Sequence, residues 1–160
     1  MTLYTNPGLL GGDIPMNVLD SLSHIANIEY IKDASGNTGR ILTLLNRLGD
    51  RVKVFSASAH IPLLVLQLGG VGWMAGPACV MPRECVRLYT LAREGRTDEA
   101  MVEQRKQWAM NEAVAKYSLA ACIKTALRLQ GFDVGDALAP QEPLPPEAIE
   151  DIRRALAQLR

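Results

Sequence analysis

Ile28-Glu29-Tyr30-Ile31-Lys32-Asp33-Ala34-Ser35-Gly36-Asn37 decides the fold of this chain. It reads as a short buried strand, Ile28 to Lys32, that ends on a lysine and breaks into a polar turn. Alternate side chains of a strand share a face, which puts Ile28, Tyr30 and Lys32 together. Asp33, Ser35 and Asn37 then form a turn and cap a helix that runs through Ile41, Leu44, Leu45 and Leu48. A lysine at the mouth of an apolar strand can shed its proton and attack a carbonyl, because burial disfavours the ammonium. Alone such a lysine says little, since most strand-end lysines are solvated. The flanking segments give it weight.

Upstream, Thr2 to Tyr4 reads as another strand end, followed by a loop at Asn6-Pro7-Gly8 and Gly11-Gly12. Pro15 opens a helix with Asp13 as its cap, and Val18, Leu19, Leu22 and Ile25 keep helical spacing. Downstream, Val52 to Phe55 is a third strand and Val71 to Ala75 a fourth, with a short apolar helix from Ile61 to Leu68 between them. Pro82 begins the next helix, with Val86, Leu88, Tyr89 and Leu91 as its apolar set and Gly95 as its stop. Strand and helix alternating at this spacing argue a parallel α/β sheet. From Thr97, the expected cap of a long helix to Lys116, only helical patterns follow, with further helices at Ser118 to Gln130 and Ala148 to Leu159. The division is an α/β part over 1–95 and a helical appendage over 96–160.

The chain has 160 residues, of which 48% are hydrophobic, enough for a real core. Seventeen basic and 17 acidic residues cancel, so there is no electrostatic footprint for nucleic acid or an anionic membrane. The longest apolar run, Ile61 to Leu66, is far too short to span a bilayer. Three scattered cysteines, Cys79, Cys85 and Cys122, suit reduced thiols used for packing in a cytoplasmic protein. With no C-x-x-C and with His24 and His60 far apart, no metal site is expected. Gly70 and Gly72 lack the third glycine of a dinucleotide fingerprint.

Read in order, Tyr4-Thr5-Asn6-Pro7, Lys32, Ser56-Ala57-Ser58 and Gly69-Gly70-Val71-Gly72-Trp73-Met74-Ala75-Gly76 resemble the dihydrodipicolinate synthase / N-acetylneuraminate lyase family. In the tail, Ile123-Lys124, Ala126-Leu127 and Gly131 resemble that family's I-K-x-A-L…G. The resemblance implies the C-terminal half, strands five to eight, of a (β/α)8 barrel plus the family's helical appendage. It implies a class I aldolase that needs no cofactor and takes pyruvate or a related 2-oxo acid, as a homo-oligomer. Lys32 would be the Schiff-base nucleophile and Tyr4 the proton relay. Gly72, Met74 and Gly76 would let backbone approach the bound acid, and Asn6 and Pro7 would hold the loop that positions Tyr4.

Some positions depart from the family pattern. Leu9 stands where the synthases carry an arginine that pairs with an acidic aldehyde, Leu10 where Thr or Ser is usual, and Cys79 where Asn is common. Ala57 and Ala59 replace Gly and Asp, and Ala75 replaces Ser. These changes point to sugar-acid or hydroxy-oxo-acid aldolases or dehydratases. The family's G-x-x-G-E carboxylate-binding segment does not occur, and a closed barrel takes about 250 residues. The sequence therefore reads as a piece of a longer enzyme, or as a half barrel completed by a partner or by self-association. A non-catalytic remnant or subunit of the same family is the alternative function.

Overall fold

Strand β2, Tyr30–Asp33, is flanked on both sides by parallel neighbours. The structure is a computed structural model that describes residues 1–57 and 60–159. Ser58 and Ala59, quoted above, lie outside the described residues, as does Arg160. Contacts divide the chain into two units, Met1–Ala75 and Gly76–Arg160.

The first unit runs β1 (Thr2–Thr5), α1 (Pro7–Leu10), α2 (Met16–Ser23), β2, α3 (Thr38–Leu48), β3 (Lys53–Ser56), α4 (Pro62–Gln67) and β4 (Gly72–Trp73). Its four strands lie in sequence order in one parallel sheet. Parallel pairing needs a crossover between strands, and α2, α3 and α4 supply them. The register aligns Leu3, Ile31 and Val54 in one row and Thr5, Asp33, Ser56 and Trp73 in the next. Ile31 and Val54 join Leu19, Ile41, Leu44, Leu48 and Val65 in a core between sheet and helices. Tyr4, Lys32, Phe55 and Gly72 form the intervening row, whose side chains face away from that core.

Several boundaries differ from those expected. β2 starts at Tyr30, so Ile28 is not on the lysine's face; it is buried in the same core as Ile31. Asp13 does not cap α2, whose cap position is Pro15. Instead the Asp13 carboxylate accepts a hydrogen bond from Thr5 Oγ1 at 3.1 Å. The loop after Asn6 contains one helical turn, α1, closed by Gly11 at φ 72°. β4 is only two residues long, because pairing with β3 ends at Ser56 and Trp73. Asn37 does cap α3, its side chain accepting from the Arg40 backbone N–H at 3.0 Å.

The second unit holds α5 (Pro82–Arg93), α6 (Thr97–Lys116), α7 (Leu119–Leu129) and α8 (Pro146–Gln158). The expected division at 95/96 places α5 with the sheet, but α5 packs on α6 in the helical unit. Its buried stripe is Cys85, Leu88 and Leu91, while Val86 and Tyr89 face outward. The reason is the partner: α6 turns Glu103, Gln104, Gln107 and Met110 inward, and Gln107 Nε2 donates to the Glu84 carbonyl at 2.9 Å. Thr97 is the first residue of α6, and Arg96 occupies the cap position. Cys122 is buried like Cys85, whereas Cys79 is exposed and is no packing residue. Ala121, Ala126, Ala148 and Ala155 are buried on α7 and α8, and such small side chains let helices approach closely.

Candidate active site

Lys32 and Tyr4 are register partners on adjacent parallel strands, each one residue short of its strand's C-terminal end. Side chains at paired positions project on the same side of the sheet, and these two meet. Lys32 Nζ stands 4.4 Å from the centre of the Tyr4 ring. An ammonium over a tyrosine face is held by the ring quadrupole. Asn6 Nδ2 donates to Tyr4 Oη at 2.8 Å. The phenol oxygen therefore accepts from Asn6 and keeps its own proton for another acceptor. Tyr4 is 44% exposed, so the pair is open to solvent on the face away from the core.

The other expected residues are placed differently. Gly72 is the register partner of Phe55, and a Cβ there would lie 3.1 Å from Phe55 Cε1. A glycine at 72 makes room for that ring. Met74 is partly exposed, and its backbone N–H donates to the Ser56 carbonyl at 2.9 Å. Gly76 lies in the second unit, where a Cβ would come within 2.7 Å of Leu119 Cδ1. Close packing on α7 accounts for that glycine.

Behind the row of Tyr4 and Lys32 lies a buried polar cluster that the motif reading did not anticipate. Asp33 is fully buried. Its Oδ1 accepts from the Ser35 backbone N–H at 2.9 Å and from Ser35 Oγ at 2.5 Å. Its Oδ2 accepts from Arg40 Nε at 2.8 Å. Arg40 also donates from an η nitrogen to the Ile14 carbonyl at 2.9 Å and stands 3.5 Å from Asp13 Oδ1. His60 Nε2 lies 3.7 Å from Asp33 Oδ1, too far for a hydrogen bond. Neither His60 nitrogen nor Ser56 Oγ has a hydrogen-bond partner among the described residues. Burial pushes the His60 imidazole below its usual range, against the opposing pull of Asp33 and of the Asn37 backbone. One signal was present in the sequence: Asp33 falls on the core-facing side of an alternating strand. A carboxylate there needs a cation and hydrogen-bond donors.

Strands in parallel sequence order, crossover helices on one face and a lysine–tyrosine pair at the strand ends define an α/β protein of the kind found in half of a (β/α)8 barrel. The chain belongs to the dihydrodipicolinate synthetase family, whose model matches residues 1–159. It is 30% identical over 156 residues to the 4-hydroxy-tetrahydrodipicolinate synthase of Oceanobacillus iheyensis, covering 97% of this chain and 52% of that one. It is 36% identical over 103 residues to the "Probable 4-hydroxy-2-oxoglutarate aldolase, mitochondrial" of Emericella nidulans, covering 64% of this chain and 33% of that one. The solved 4-hydroxy-tetrahydrodipicolinate synthase of Methylacidiphilum fumariolicum superposes with a TM-score of 0.92 at 26% identity, over 99% of this chain and 53% of that one. The chain spans about half the length of the curated relatives it matches. No helix among the described residues is long and apolar enough to cross a membrane.

Proposed function

We propose that this chain carries the nucleophile of a Schiff-base lyase acting on pyruvate or a related 2-oxo acid. The observation that carries the reading is the contact between Lys32 Nζ and the Tyr4 ring at the C-terminal ends of β1 and β2. The neutral Lys32 amine attacks the ketone carbon, and the carbinolamine loses water to give an imine. Protonated, that imine draws electrons from the C–C bond that breaks in an aldol cleavage, or from a neighbouring C–H bond as its proton leaves, and the resulting enamine then expels the hydroxyl with its C–O electron pair. Tyr4 moves the protons these steps require, to the departing hydroxyl and from the substrate oxygen, while Asn6 fixes its phenol oxygen. Gly72 and Met74 belong to this reading as places where backbone meets the acid, whereas Gly76, expected with them, packs against Leu119 within the second unit. Leu9, where an arginine would pair with an acidic aldehyde, favours hydroxy-oxo-acid or sugar-acid chemistry over condensation with aspartate semialdehyde. The sheet corresponds in this reading to barrel strands five to eight, and further copies of the chain are its expected partners.

One second reading is a non-catalytic member or subunit of the same family. A borohydride trap separates the two. The purified chain is incubated with pyruvate, reduced, and mapped by mass spectrometry at low and high protein concentration, with Lys32→Ala as control. An adduct of pyruvate mass on Lys32, absent from the control, is the expected result. A folded chain that yields no adduct at any concentration overturns the enzymatic reading.

A further inference from the structure

We propose that Arg40 is a positioning residue for the Tyr4–Lys32 pair, acting through the sheet from its helix-covered side. The proposal rests on the reading of Lys32 and Tyr4 as the reacting pair. Each of the two is followed by a fully buried polar residue, Thr5 after Tyr4 and Asp33 after Lys32. Thr5 and Asp33 are themselves register partners. Asp13 accepts from Thr5 Oγ1 at 3.1 Å and lies 3.5 Å from Arg40 Nε. The same Nε donates to Asp33 Oδ2 at 2.8 Å. The chain Thr5–Asp13–Arg40–Asp33 therefore closes across β1 and β2 directly behind the two functional side chains.

Arg40 is well suited to set that distance. Its backbone N–H is held by the Asn37 cap, so the side chain starts from a defined point on the first turn of α3. Its planar fork reaches Asp33 with one nitrogen and the Ile14 carbonyl with another. A lysine has the charge, but its three donors share one nitrogen, so it lacks the fixed fork that spans both partners. A peptide unit is rigid and adjacent Cα atoms are about 3.8 Å apart, so displacement of Thr5 or Asp33 is passed to Tyr4 or Lys32 with little loss. A misplacement of about 1 Å between reacting groups can cost on the order of 100-fold in rate.

A structural ion pair alone would make the same contacts, so the test must read the geometry of the pair. Lys32 Nζ stands 4.4 Å from the Tyr4 ring centre, so in solution NMR of the full chain the adjoining ε-methylene protons report on the ring. They should show a nuclear Overhauser contact to it and an upfield ring-current shift. Arg40→Lys and Thr5→Val should stay folded by circular dichroism and lose both signatures. Arg51→Met, which breaks the separate ion pair to Asp20, should keep them. Where wild type forms the pyruvate adduct, the Arg40→Lys trapping rate should fall about tenfold or more. Folded Arg40→Lys or Thr5→Val with an unchanged contact and shift overturns the proposal, as does a wild-type chain that lacks them. Should Arg40→Lys fail to fold, Thr5→Val decides. Absence of a wild-type adduct sinks the Schiff-base reading only, because the NMR comparison needs no substrate.

Discussion

Replacing Arg40 with methionine removes the guanidinium and keeps most of the apolar stem. Asp33 stays fully buried and keeps both bonds from Ser35, but its Oδ2 loses the Arg40 donor. Breaking a buried pair from one side typically costs about 3–5 kcal/mol, because a charge is left uncompensated. At about 2–4 °C per kcal/mol for a chain of this size, Tm should fall by roughly 6–20 °C. The pH dependence sharpens the expectation. In the wild type, burial keeps the folded-state pKa of His60 below its ordinary 6.5. The unfolded chain thus binds more protons near that pH, and stability rises with pH through this range. This contribution is complete above about pH 6.5 and is lost as pH falls towards the lower folded value. Without Arg40, the imidazolium of His60, 3.7 Å from Asp33 Oδ1, becomes the nearest available counter-charge to the stranded carboxylate. The variant should therefore lose less on acidification than the wild type, or gain. Urea unfolding of both proteins at about pH 8 and about pH 6, with Asp33→Asn and the double variant closing a cycle, measures this. A coupling of about 0.5–3 kcal/mol is expected. A loss below about 1 kcal/mol for Arg40→Met, with the wild-type pH slope, would refute the reasoning.

Two further expectations concern packing and thiols. Gly70→Ala would set a Cβ 2.5 Å from Val65 Cγ1 and 2.8 Å from the Val65 carbonyl oxygen, where the backbone cannot yield cheaply. It should lower stability by about 1–3 kcal/mol, and urea unfolding at wild-type stability would show that the turn before β4 is looser than described. Cys85 is pushed up to about 11 by burial and then by Glu84, Glu103 and Cys79, while burial also raises Cys122. Iodoacetamide at neutral pH should modify Cys79 in the native chain and reach Cys85 and Cys122 only after unfolding, read by peptide mass mapping. Native labelling of Cys85 at the rate of Cys79 would contradict the packing of α5 on α6.

Element order and the crossover helices were legible in the residues, because they follow from short-range rules; that Tyr4 and Lys32 belong together was implied only by the family resemblance, and their register comes from the sheet. Alternation along Tyr30-Ile31-Lys32-Asp33, the Asn37 cap and the glycines after α5 and α7 each act within a few positions. The motif order from Tyr4 to Gly76 carried the family, and the family match over residues 1–159 agrees with it. Other features answered to partners far away in the sequence. Asp13 follows Thr5 and Arg40 rather than the helix it precedes. Cys85 is buried where Val86 was expected because α6 presents Gln107 to that turn of α5. Glycine 76 is explained by Leu119, 43 positions on (119 − 76 = 43). Periodicity reports which residues share a face, but not which charges, rings or backbones that face will meet. The lysine and its tyrosine were written in the chain; the arginine that bridges the strands behind them became visible only when helix and strands were brought together.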